Sequence, residues 1–134
     1  MKTLFVAAAA SLLPMLALDG LWLTAMLKRF YAPRMAQLMA DSPVVGAAIA
    51  FYLIYAAGLA VLIVVPAVQS RDGLPRVFLR GALFGLVCYA TYDLANQATL
   101  KAWPLALTLV DMAWGSALTG TVSLVACALT RRLA

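Results

Sequence analysis

The chain contains no histidine and no glutamate, has only two cysteines, and carries charge on only 11% of its 134 residues. Without histidine there is no Ser-His-Asp or Cys-His nucleophile pair. A His-ligated haem is excluded, and zinc is left without a usual catalytic ligand. An ordinary soluble domain is about 25% charged and about 45–50% apolar. Here 66% of the residues are hydrophobic, so there is too little charge to cover a water-facing surface. A soluble enzyme, a disordered chain and a soluble nucleic-acid-binding protein are excluded, and no nucleic-acid partner is expected. Cys88 and Cys127 fall at different depths on the apolar runs. A disulfide needs Cα atoms within about 7 Å, so both read as small packing residues.

What the chain does have is apolar runs of spanning length. A transmembrane helix needs about 20 apolar residues, and four such runs fill the sequence. They cover about residues 3–27, 44–68, 77–100 and 104–129, within a single transmembrane domain of residues 1–134. The first run is too long for the apolar core of a signal peptide, and no A-x-A-like site follows it. The predicted fold is all-α, an integral membrane four-helix bundle. Pro33, Pro43, Pro75 and Pro104 sit at or near predicted helix starts, where a missing N–H costs nothing. Pro14 and Pro66 lie inside runs and should bend them.

The connection over residues 30–42 is the longest, and Met35, Leu38 and Met39 share one helical face of it. This predicts a short interfacial helix between spans 1 and 2. The ten Lys and Arg give a net charge of +5 and collect at the ends of the runs, where anionic lipid headgroups attract them. Lys2, Arg71, Arg76, Arg80, Arg131 and Arg132 fall on the side of the termini, against Lys28, Arg29, Arg34 and Lys101 on the other. That bias points to both termini in the cytoplasm.

Three of the five acids, Asp19, Asp93 and Asp111, lie inside the runs. Counted from the far ends at 1.5 Å per residue, they fall roughly 10–12 Å deep on three different helices. Helix direction alternates, yet all three reach one layer in the outer half of the bilayer. Asp19-Gly20-Leu21-Trp22 and Asp111-Met112-Ala113-Trp114 repeat D-x-x-W, which sets Asp and Trp on one helical face. Tyr52 and Tyr55 join from span 2, and Tyr92 and Asn96 from span 3. An ionised carboxylate in hydrocarbon is costly and usually marks function. No Lys or Arg reaches that depth, so the acids must be protonated, held by neutral donors, or occupied by a cation.

These residues predict a pocket with Asp19, Asp93 and Asp111 as catalytic acid/base groups. Trp22, Tyr52, Tyr55, Tyr92, Asn96 and Trp114 would bind substrate. If a metal is held, the same three Asp would hold it, and oxygen ligands favour a hard divalent cation. A membrane-dissolved, lipid-like ligand suits so small a chain, so membrane lipids are the expected partners. Two alternatives stand beside this reading: a proton or small-cation transporter or channel component, and a structural subunit whose polar network only fixes helix register. Gly81 and Gly85 form a G-x-x-x-G that permits close packing within the chain or a homodimer. Phe30, Tyr31 and Trp103 read as interface anchors.

The ordered motifs resemble one known family. They are Leu18-Asp19-x-x-Trp22-Leu23, Phe51-Tyr52-x-x-Tyr55-x-x-Gly58, Gly81-x-x-Phe84-Gly85, Tyr92-Asp93-Leu94-x-Asn96 leading to Lys101-x-Trp103-Pro104, and Asp111-Met112-x-Trp114-Gly115. Together they are similar to the bacterial membrane-protein family labelled domain of unknown function 2177. The resemblance covers nearly the whole chain and implies four spans in a bacterial inner membrane. It supplies no established activity.

Overall fold

A computed structural model describes residues 1–134. It is all-helical, with four helices long and apolar enough to cross a membrane: α1 Lys2–Met35, α2 Val45–Gln69, α3 Leu74–Thr99 and α4 Leu105–Leu133. In hydrocarbon every backbone N–H and C=O must be satisfied within the segment, which only helices and closed barrels achieve. Large apolar side chains such as Leu13, Leu21, Ile54, Leu79 and Leu109 point outward, where a bilayer would receive them. The helices alternate in direction. The termini and the turn over residues 70–73 share one face, called here the terminal face. The connections after α1 and α3 share the other, the connection face.

Helix α4 is the most enclosed of the four and packs against all of the others. Its tightest neighbour is α3. A Cβ on Gly81 would come within 2.7 Å of Ser123 Cβ and 2.8 Å of the Thr119 carbonyl oxygen, and one on Gly85 would overlap the Gly115 carbonyl oxygen. The G-x-x-x-G face is therefore covered by α4 of the same chain. This is the packing within the chain that the motif permits, and a homodimer through Gly81 and Gly85 would have to displace α4. Toward the terminal face the core is dry, with Leu59, Val64, Val77, Val122 and Ala126 fully buried. Ser11, Ser123 and Thr130 in this region donate back to carbonyls of their own helices.

The expected interfacial helix over the first connection is not a separate element. Residues Ala32–Met35 are the last turn of α1, reached through a π-helical turn at Leu27–Tyr31, and Ala36–Ser42 is irregular. Met35 packs inward beside Tyr31, Trp103 and Leu107. Pro33 falls in the first turn of this short segment, directly after the π-turn, and the segment runs on from α1. The physical reason recurs in α2, where a π-turn at Ala60–Val64 precedes Pro66. In both places the residue before the proline donates five residues back, Ala32 to Leu27 and Val65 to Ala60. A widened turn relieves the clash a proline ring makes with the carbonyl four residues earlier.

The terminal face is tied by charge. Asp72 accepts from Arg80 at 2.9 Å and lies 3.5 Å from Arg76. Arg131 donates to the backbone carbonyls of Asp72 at 2.6 Å and Ala67 at 3.2 Å. The turn between α2 and α3 is thus fastened to the start of α3 and the end of α4.

Candidate ligand site between the helices

The two D-x-x-W segments run antiparallel, on α1 and α4, and they interlock. The Trp22 and Trp114 rings stack with centroids 4.3 Å apart and planes 6° from parallel. The Trp114 indole N–H donates to Asp19 Oδ1 at 3.0 Å, and the Tyr52 hydroxyl donates to Asp19 Oδ2. On the other side Trp22 does not reach Asp111 directly. Its N–H donates to the Tyr31 hydroxyl at 3.0 Å, and Tyr31 donates to Asp111 Oδ1 at 2.7 Å. Each aspartate is served by one tyrosine, but only Asp19 has a donor on both oxygens.

That asymmetry separates the carboxyl groups by role. Asp19 is buried and saturated, and it joins α1, α2 and α4. Asp111 is half-buried and lines two cavities. The larger, of about 390 Å³, lies between α2 and α3, walled by Phe51, Tyr55, Cys88, Tyr89 and Tyr92, with Asp111 as its one acidic residue. The smaller, of about 180 Å³, lies toward the connection face and is lined by Asp93 and Asp111 with Tyr31, Tyr92, Trp103 and other apolar groups. Tyr92 and Asp111 belong to both. Asp93 is completely buried, and neither of its carboxyl oxygens has a hydrogen-bond partner.

Local packing explains the openness of the larger cavity. Tyr55 is buried, bonds Thr119 across the bundle at 2.7 Å, and meets the rings of Phe84 and Tyr89. Below it, toward the terminal face, Phe84 lies against Gly58 and closes the α2/α3 seam. Above it Phe51 and Tyr92 are 44% and 56% exposed, so the seam opens sideways there. Tyr89 is seated over Gly115, where any Cβ would run into the ring.

The chain matches, over residues 4–128, the family described as a predicted membrane protein (DUF2177). It belongs to this family. No curated protein and no solved structure matches it. With four apolar helices of spanning length it is a membrane protein, and its chemistry has to be read from the side chains above.

The structure divides the residues singled out in the sequence. Asp93 and Asp111 meet at one cavity, with Tyr92 beside them, and Tyr55 lines the other. Asp19, Trp22, Tyr52 and Trp114 stand behind the cavities as a hydrogen-bonded and stacked support. Asn96 lines neither cavity. No three of the Asp and Cys side chains converge as a metal site would require, so Asp19, Asp93 and Asp111 do not form the joint ligand set considered for a divalent cation.

Two residues read as interface anchors belong to the interior: Tyr31 is 8% exposed and Trp103 is 6% exposed. Trp103 donates to Thr108 at 2.9 Å, Thr108 to Gln97 at 2.8 Å, and Gln97 back to the Trp103 carbonyl at 3.0 Å. This closed knot holds the α3/α4 connection over the smaller cavity. Tyr31 was hidden because, in a regular helix, nine residues from Trp22 is two and a half turns, the opposite face. The π-turn delays rotation by about 100° and returns Tyr31 to the Trp22 side.

Proposed function

We propose that this protein binds or modifies a lipid-like molecule that enters sideways from the bilayer. The observation that carries the reading is the lateral cavity between α2 and α3, apolar along its walls and ending at Asp111. Binding pockets for small molecules are mostly apolar, with a few convergent polar groups that fix orientation. A volume of about 390 Å³ is enough for a stretch of hydrocarbon chain. The carboxyl pair of Asp93 and Asp111 is then the polar end, able to bind a headgroup or to exchange a proton with it. A continuous proton or ion path is less well supported, since the half toward the terminal face is filled by fully buried aliphatic side chains.

The excess of Lys and Arg on the terminal face supports both termini in the cytoplasm, and the resemblance to a bacterial membrane-protein family supports an inner membrane. The cavities then lie in the outer half of the bilayer. The test is a lipidomic comparison of cells carrying the wild-type protein with cells carrying Asp111→Asn, matched for folded protein. A lipid species that accumulates or disappears supports the reading and names the substrate class. Identical lipidomes, with neither protein retaining any lipid on purification, overturn it.

A further inference from the structure

The smaller cavity carries a more specific inference, which rests on the lipid-like reading above. Asp93 is 0% exposed, and both its oxygens lack a donor. Its acidic neighbour there is Asp111, whose Oδ1 is already held by Tyr31. The chain offers no cation to this pair: its ion pairs both involve Asp72, at the opposite face. A buried carboxyl group left without partners costs several kcal/mol. The remaining wall includes Tyr31, Tyr92 and Trp103, and the last two meet edge to face at 5.8 Å. Aromatic walls around carboxyl groups suit an organic ammonium group, which gains from both. A metal ion of the hard type would call for more oxygen ligands or a shell of water than this wall provides.

We propose that the cavity between Asp93 and Asp111 receives the ammonium headgroup of an amphiphile whose hydrocarbon chain lies in the cleft between α2 and α3. Continuity of the two spaces supports one occupant, because Tyr92 and Asp111 line both. The volumes fit as well. About 180 Å³ holds a headgroup of several heavy atoms, given about 30 Å³ for a water.

The experiment uses the full-length protein in maltoside micelles with three chain-matched probes: hexadecylamine, 1-hexadecanol and hexadecanoic acid. Binding is read by native mass spectrometry and by quenching of tryptophan fluorescence, since Trp103 borders the cavity. The amine is expected to bind about tenfold or more tighter than the alcohol, and the acid weakest. Asp93→Asn should bring the amine-to-alcohol ratio close to one, while Asp41→Asn, on the exposed first connection, leaves it unchanged. Should Asp93→Asn fail to fold, Asp111→Asn and the wild-type probe series decide. If alcohol and amine bind equally to the wild type, or if a folded Asp93→Asn keeps the preference, the ammonium inference is overturned while the lipid-like reading stands. If none of the three chains binds, both fall together.

Discussion

Trp22 and Trp114 are stacked nearly parallel, 4.3 Å apart between centroids, and each hands its N–H toward an aspartate of the other helix. Parallel stacking is one of the arrangements aromatic pairs favour, and the hydrogen bonds fix which two rings meet. Antiparallel D-x-x-W segments place each Trp opposite the partner's Asp, so the pair acts as a register key between α1 and α4. Interposing Tyr31 on one side only is what leaves Asp111 with an oxygen to offer the cavities.

If Asp19 is a structural node, truncating it strands two donors. Asp19→Ala leaves the Tyr52 hydroxyl and the Trp114 N–H without their acceptor. Interhelical hydrogen bonds in membranes are worth about 0.6 kcal/mol on average, and stranding a buried donor costs about 1–3 kcal/mol, so a total loss of roughly 2–4 kcal/mol is expected. Unfolding by titration with sodium dodecyl sulfate measures it. A loss below about 0.5 kcal/mol would show that the network does not hold the helices.

Asp93 should behave in the opposite way. Its oxygens make no hydrogen bond, so Asp93→Asn removes none, and the new amide gains Asp111 as an acceptor across the cavity. Stability is expected to hold or to rise by about 1 kcal/mol, with selectivity for an ammonium headgroup lost. A marked fall in stability in the same titration would make Asp93 structural and remove it from the site.

The contrast between these two acids was not visible in the sequence, where Asp19, Asp93 and Asp111 look alike. Spans and depth are legible because apolar run length and the 1.5 Å rise set both. The D-x-x-W faces were legible for the same reason, since three residues on a regular helix share a side. Rotation about each helix axis is where periodicity fails here. Helices that meet protein on one side and lipid on the other are apolar all round, so no polar stripe marks the inward face. The π-turn at Leu27–Tyr31 then shifts everything beyond it, which is why Tyr31 read as an anchor and residues 32–35 as part of a separate helix. Gln97 and Thr108 belong to a knot spanning a connection, and no helical spacing encodes that.

Close approach of α3 and α4 makes Gly85 sensitive to a single methyl group. A Cβ there would collide with the Gly115 carbonyl and the Thr119 side chain, whereas a Cβ on Gly20 would meet nothing within 4 Å. Gly85→Ala is expected to cost about 1–3 kcal/mol through forced separation of the helices. Gly20→Ala should be neutral or stabilising by up to about 1 kcal/mol. Equal behaviour of the two variants in thermal unfolding would contradict the observed packing.

Arg71 carries backbone strain at the terminal face. With φ of 52° it is the one non-glycine residue in the left-handed region. It sits where glycine commonly ends a helix: the Asp72 N–H reaches Ala67 O at 3.0 Å and the Arg71 N–H reaches Val68 O at 3.3 Å. Arg71→Gly should stabilise the fold by about 0.5–1 kcal/mol, the strain relieved outweighing the added freedom of the unfolded chain. A loss of stability would mean that the Arg71 side chain contributes more than its backbone costs.

Cys88 offers a way to separate the cleft from the carboxyl pair. It lines the cavity between α2 and α3 beside Tyr55 and Tyr89, while Cys127 is fully buried in the core toward the terminal face. Cys88→Trp adds a large ring facing open space, so the fold should lose no more than about 1 kcal/mol, less than the same change in a packed core. The hydrocarbon part of a ligand would then have no room. Binding of hexadecylamine is expected to fall about tenfold or more, whereas a short amine such as butylamine, able to reach Asp93 and Asp111 by its headgroup alone, should be affected less than threefold. If both amines lose affinity to the same extent, the two cavities do not share one elongated ligand, and if neither does, the cleft is not where the chain lies.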